Sequence, residues 1–378
     1  MSDWNLFIQE EISKCTDCEV CTDVCCTYYA TNNRLFSPLA RLQMVKKLLN
    51  GESLKQEEIR SIYLCTECGR CEQVCPFDIK ISDVIADSKK ILVQKGLGPL
   101  PKHDVIINGI LEKRNAVNGD PKKRLDWIPE KYRSSEKFEE TPSETLLYLG
   151  CLPSYLVKES AAATYELLKE AGVDFMVLKD EFCCGIYPYN AGKLEIAREI
   201  FLENIEKFKK LGVKRIIVPC AGCYRCFSKY YPDLLGKTDF EVFHIIQILN
   251  DLLKSEKITL RNNRHSFTFH DSCRLGRKAG FYNEPREILE EMGIEIEELT
   301  ENRENAYCCG SGSGVRSIDK ELSLNIGLKI LEESKQNTII ATCPFCIFNL
   351  RYIAYKTNSD KKLVHISNLV FENLAKYD

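Results

Sequence analysis

The chain has 378 residues, 44% of them hydrophobic and 28% charged, with a formal net charge of -3. That balance suits two or three globular domains, excludes a disordered chain, and argues against nucleic acid as a partner because no long basic run is present. No apolar stretch approaches the ~18 residues of a membrane span and the N-terminus lacks a signal-peptide core, so the expectation is a cytoplasmic chain that can dock on a membrane subunit.

In a reducing compartment, twenty cysteines in clusters mean metal, not disulfides. Nine of them fall within residues 1–100, an expected helical domain: eight in two spaced runs, and Cys26 beside the first. Cys15-x-x-Cys18-x-x-Cys21-x-x-x-Cys25 comes first, then an amphipathic stretch from Leu39 to Arg60, then Cys65-x-x-Cys68-x-x-Cys71-x-x-x-Cys75-Pro76. Helical apolar spacing follows from Ile81 to Gln94 and stops at Gly96. In dicluster ferredoxins three thiolates at this spacing wrap one corner of a cubane, and the fourth cysteine reaches the other cluster. By that rule one cubane [4Fe-4S] cluster takes Cys15, Cys18, Cys21 and Cys75, and the other takes Cys65, Cys68, Cys71 and Cys25. Zinc prefers separated CxxC pairs with four ligands in total, which these runs do not fit. Cys26 stands where the bacterial pattern has proline and is expected to be a buried free thiol.

Residues 101–143 are expected to be a linker, polar and rich in Pro, Lys and Glu from 115 onward. From 144 the sequence repeats, giving expected domains at 144–260 and 261–378. The first copy reads as a strand from Thr145 to Cys151, a helix from Leu156 to Ala171, a strand from Val173 to Leu178, Cys183-Cys184-Gly185, a helix around Leu194 to Leu211, and a strand from Arg215 to Cys220. The second reads as Ser266 to Cys273, a helix, Ile294 to Leu299, Cys308-Cys309-Gly310, a helix from Asp319 to Ser334, and a strand from Thr338 to Cys343. Both close on a His-Ile pair, His244-Ile245 and His365-Ile366, before a last helix. Alternating strands and helices predict parallel α/β units with cysteines at the strand C-terminal ends, where such sheets bind their ligands.

Each copy holds five cysteines in matching places: Cys151, Cys183, Cys184, Cys220 and Cys223, then Cys273, Cys308, Cys309, Cys343 and Cys346. Five are too many for one tetrahedral zinc. The phrases Gly150-Cys151, Cys183-Cys184-Gly185, Cys220-Ala221-Gly222-Cys223-Tyr224, His270-Asp271-Ser272-Cys273, Cys308-Cys309-Gly310 and Cys343-Pro344-Phe345-Cys346 resemble the paired CCG domains of the heterodisulfide reductase family. With the ferredoxin runs, the chain is similar to the D-type subunits of that family. It is also similar to the iron–sulfur subunits of glycolate, lactate and anaerobic glycerol-3-phosphate dehydrogenases. The resemblance implies a duplicated α/β CCG fold behind an all-α ferredoxin domain, with a noncubane [4Fe-4S] cluster on each set of five cysteines. It also implies reduction of a disulfide, CoM-S-S-CoB or a related one, between the two clusters. The partner implied is a flavoprotein or a membrane cytochrome b-type subunit in a hetero-oligomer; the alternative role is an electron carrier passing electrons to a quinone.

The run Gly310-Ser311-Gly312-Ser313-Gly314 lacks a dinucleotide register, since Ser317 stands where a third glycine is needed, so no flavin or NAD site is expected in this chain. His270 is the candidate catalytic residue, a proton donor to a leaving thiolate, against a structural role near the cluster. His244 and His365 read as scaffold of the repeat, Cys226 as a packed side chain, and Arg274, Arg277 and Lys278 as either an anion clamp or a solvated helix face.

Overall fold

Four short apolar runs that lead into cysteines, with three further strands, build two parallel sheets in the structure, a computed structural model that describes residues 3–134 and 143–375. The first sheet comprises β1 (Thr145–Leu147), β2 (Arg215–Val218) and β3 (Glu241–His244), in that spatial order. The second comprises β4 (Ser266–His270), β5 (Glu295–Glu298), β6 (Thr338–Ala341) and β7 (Lys362–His365), in the order β5-β4-β6-β7. Leu147 pairs with Ile217 in the first sheet and Phe269 with Ile340 in the second.

The strand expected over Val173–Leu178 is reduced to a single bridge between Met176 and Leu146, on the side of β1 where β5 lies beside β4. The reason is a competing acceptor. Leu147 N–H reaches the Met176 carbonyl, but the next amide on that edge, Leu149 N–H, goes to the Glu181 carboxylate, as does Gly150 N–H. With that allowance both copies share one topology. In each, the two central strands send their connections in opposite directions, which opens a crevice at their C-terminal ends.

The copies meet about a pseudo-two-fold axis. Helix Lys158–Glu170 of the first packs on Ile366–Glu372 of the second, and Ile245–Lys254 packs on Glu284–Glu291, the same pairing taken in the opposite sense. Thr164 Oγ1 donates to Ser367 Oγ across the first contact at 3.0 Å. One apolar core, including Leu147, Leu168, Phe269 and Ile340, runs through both copies.

The N-terminal helices surround a second core of Ile8, Val45, Ile62, Val84 and Leu92. The amphipathic Leu39–Arg60 stretch divides into helices Pro38–Leu49 and Gln56–Tyr63, because Gly51 turns the chain at φ +79°. Ser37 caps the first by accepting from Ala40 N–H at 3.1 Å. The expected linker is packed structure over 101–134. Helix Pro101–Lys113 buries His103, Ile107 and Ile110, and Trp127 and Ile128 are buried after it. Its polar residues misled because Arg124 forms a buried ion pair with Glu181, the carboxylate that ends the short strand edge. Residues 135–142 of the linker lie outside the described residues.

Removing one member of a buried ion pair leaves the other charge stranded, a loss of about 3–5 kcal/mol. Arg124→Met is expected to lower the urea midpoint of the anaerobic protein accordingly; an unchanged midpoint would contradict the pairing.

Candidate metal centres

All twenty cysteines are free thiols. In the N-terminal domain they line two small cavities. Cys15, Cys18, Cys21 and Cys75 surround one with Leu39, Leu42 and Ile81. Cys25, Cys65, Cys68 and Cys71 surround the other with Cys26, Arg41 and Ile85. The fourth cysteine of each run has crossed to the other run's set, through the turns that follow helices Val20–Asp23 and Arg70–Gln73. Burial pushes the Cys21 thiol up to about 12 and that of Cys65 to about 11. Thiolates are favoured there only when a cation supplies the missing charge, which is the donor chemistry of an iron–sulfur site.

In the first module Cys151 follows β1, Cys220 follows β2, and Cys183-Cys184 lie in the loop between them. The thiols are contiguous: Cys183 touches Cys151 and Cys184, while Cys223 touches Cys184 and Cys220. Gly150 stands at φ +79°, and a Cβ there would come within 2.8 Å of Cys223 Sγ. The second module repeats the arrangement. Cys308 touches Cys273 and Cys309, and Cys346 touches Cys309 and Cys343. Gly185 N–H and Gly310 N–H point at the sulfurs of Cys183 and Cys308 at 3.5 and 3.4 Å. Cys343 also sits at the N-cap of helix Pro344–Lys356, whose dipole favours negative charge. These donor sets fit iron–sulfur groups: soft, buried and free of disulfides, with backbone N–H groups aimed at sulfur.

The sets form one chain of contacts. Cys68 lies against both Cys26 and Cys308, whose thiols hold it well below the ordinary thiol range. Cys220 and Cys343 meet across the pseudo-dyad. The order is therefore N-terminal domain, second module, first module. Three cationic residues after Cys273 enforce it. Arg277 Nε donates to the Cys68 carbonyl at 2.8 Å, and Lys278 pairs with Glu72 at 2.9 Å and Asp83 at 3.3 Å. Arg274 Nη2 stands 3.9 Å from Glu67. None of the three is a solvated helix face.

A cavity of about 290 Å³ lies between the modules. Leu152, Leu156, Ile186 and Tyr187 of the first module form its apolar wall with Ala116 and Val117. The second module supplies Cys273, Cys309, Cys343 and Cys346, but none of the five cysteines of the first module reaches the lining. Arg274, Arg316 and Lys320 also line it, and among the described residues no carboxylate does. Arg316 Nη1 donates to Asn349 Oδ1 at 2.8 Å and its guanidinium stacks on Phe348 and Tyr352; burial draws its pKa down. Arg316 and Lys320 carry no motif, and only the fold brings them beside Arg274.

The remaining candidates separate by their partners. His365 Nε2 reaches the Pro219 carbonyl at 3.2 Å and its Nδ1 accepts from Ser367 N–H at 3.3 Å, while His244 Nδ1 accepts from Ile246 N–H at 3.4 Å. Burial takes His244 down to about 3 and His365 to about 4, so both are neutral. His270 is buried behind Cys309 and Cys346, off the cavity wall. Cys226 Sγ donates to the Cys184 carbonyl at 3.1 Å from a π-helical turn. Gly312 packs against the Thr66 carbonyl, where a Cβ would stand at 2.2 Å, so the glycine run serves close approach to the N-terminal domain. No helix among the described residues is long and apolar enough to cross a membrane.

Family models match this description. The cysteine-rich CCG domain matches residues 145–228 and 267–351, and a 4Fe-4S dicluster domain matches 11–79. The chain is 30% identical to the D subunit of the dihydromethanophenazine:CoB–CoM heterodisulfide reductase of Methanosarcina barkeri, over 97% of this chain and 94% of that one. It is 30% identical to the B subunit of the fumarate reductase (CoM/CoB) of Methanothermobacter marburgensis, over 82% and 61%. It is also 30% identical to the EtfAB:quinone oxidoreductase of Syntrophomonas wolfei, over 76% of this chain and 42% of that one.

Cys226 touches Cys184 as Cys223 does, but it commits its thiol proton to a carbonyl, and packing is its expected role. Cys226→Ser is expected to keep the full iron content of the anaerobic protein, whereas Cys223→Ser lowers it; iron loss from the Cys226 variant would contradict that assignment.

Proposed function

The chain belongs to the CCG-domain iron–sulfur family and is an oxidoreductase subunit, and from that premise we propose that it reduces a small anionic disulfide in the cavity between its modules. The observation that carries this reading is the cavity itself: apolar on one wall, lined by four second-module cysteines, and ringed by Arg274, Arg316 and Lys320 with no acid among the described residues. Such a site suits an organic anion with a sulfur to place against the cysteines.

We assign cubane clusters to Cys15, Cys18, Cys21 and Cys75 and to Cys65, Cys68, Cys71 and Cys25, and a noncubane cluster to the five cysteines of each module. When bound, these groups supply one-electron steps and soft iron with affinity for thiolate. Cys18 is exposed, which makes its set the entry for electrons from a partner, a flavoprotein or a cytochrome b-type subunit. Electrons then pass the Cys68–Cys308 contact to the second module. Two electrons and two protons convert the disulfide into two thiols, breaking the S–S bond and forming two S–H bonds. The cationic side chains hold the anionic end, and Leu152, Leu156 and Phe345 exclude water from the other.

A carrier role is the second reading. The Syntrophomonas relative, named an EtfAB:quinone oxidoreductase, favours it. In that case the cavity sees no substrate, and electrons leave to a quinone through another subunit.

Filled sites correspond to about sixteen irons per chain, four in each of four clusters; half that number would leave only the N-terminal pair. A small anionic thiol added to the oxidised protein is expected to produce a new paramagnetic signal. Arg316→Ala should raise the thiol concentration for half-maximal signal at least about tenfold, since a charged contact contributes roughly 1.5–3 kcal/mol. No thiol-dependent signal would leave the carrier reading standing.

A further inference from the structure

The copies differ in the side chain that stands behind their cysteines. Three residues before the first cysteine of each module, the first copy has Tyr148 and the second has His270. Tyr148 is satisfied by its own module: its hydroxyl donates to the Phe182 carbonyl and its ring packs edge-on against Phe227. His270 is 1% exposed, neither ring nitrogen meets an oxygen or nitrogen partner, and the side chain it faces is the Cys309 thiol. Its ligating nitrogen and the sulfurs of Cys309 and Cys346 lie within 4.8 Å of one another.

A buried polar group left unpaired costs about 1–3 kcal/mol, so an imidazole in this place needs a partner, and the sulfurs are the groups it faces. The other module histidines show what scaffold looks like here. His365 engages backbone through both nitrogens, and His244 caps a helix through Nδ1 while its Nε2 is unpaired. His270 does neither.

We infer that His270 is a positioning residue that donates an N–H···S hydrogen bond to the cluster held by the second module, and so makes that cluster the easier of the module pair to reduce. The inference rests on the proposal that both modules hold iron–sulfur clusters. Hydrogen bonds to cluster sulfur raise reduction potentials because they stabilise the added negative charge. Tyr148 gives its only hydroxyl proton to a carbonyl, so the first module has no counterpart. The consequence is directional. The second module is the one that touches Cys68 and the one whose cysteines line the cavity, so the electron rests where both the wire and the ligand meet. The ring stays off the cavity wall, which separates this role from proton delivery to a bound disulfide.

The test is a redox titration of the full anaerobic chain, followed by paramagnetic resonance with iron and sulfide measured on each sample. His270→Phe removes the donor and His270→Gln keeps one. For the Phe variant, iron is expected to remain while one module couple falls by about 59 mV, a tenfold change in the ratio of reduced to oxidised cluster for a one-electron step. The other couples should stay in place, and the Gln variant should recover most of the shift. An unshifted couple with iron in place would overturn the inference and leave the proposed function intact. Loss of four irons from the Phe variant would overturn it too, by making His270 a ligand. An unaltered chain with no second-module cluster would remove both the inference and the function it rests on.

Discussion

One buried carboxylate, Glu67, holds the N-terminal domain in register with the rest of the chain. Lys89, fully buried, donates to Glu67 at 2.6 Å and to Ser313 at 2.8 Å, and Ser313 closes the triangle by donating to Glu67 at 2.5 Å. Ser313 belongs to the glycine run that follows Cys308-Cys309, and Glu67 lies between Cys65 and Cys68. The contact therefore ties one cysteine loop directly to another. A buried ion pair of this kind adds little net stability, but misplacing either partner is costly, so it sets geometry. Electron transfer needs that geometry more than it needs stability.

The same logic explains why the duplicated modules do not behave as duplicates. Their sheets, helix contacts and cysteine sets are related by the pseudo-dyad, yet only the second module puts a serine on Glu67, a cysteine on Cys68 and cysteines in the cavity wall. The first module's wall is aliphatic at that place. Duplication supplied two like donor sets, and the N-terminal domain, which packs on both modules, brings its cysteines against only the second.

Much of this was legible in the sequence because cysteine spacing is a direct record of which thiols the fold brings together. The crossed sets in the N-terminal domain, the strand ends at Cys151, Cys220, Cys273 and Cys343, and the repeat order could all be read from pattern. Three features could not. The strand near Met176 was lost to a side-chain acceptor, Glu181, which no periodicity signals. Residues 101–134 looked like linker because Arg124 and its neighbours are polar, and their partner lies 57 positions away. Arg277 and Lys278 could be read only as an anion clamp or a solvated helix face, because the acids and carbonyl that receive them belong to another domain. Long-range polar pairing is the common cause: local composition says nothing about who answers a charge.

The central claim is that the second module stands between the N-terminal domain and the first module in the path of the electron. Rapid-freeze reduction of a Cys309→Ala chain, which is missing one second-module donor, tests it most directly. The account predicts that both N-terminal clusters reduce at the normal rate while the first-module cluster stays oxidised. Reduction of the first-module cluster at the rate of the unaltered chain would contradict the order of contacts on which the account rests.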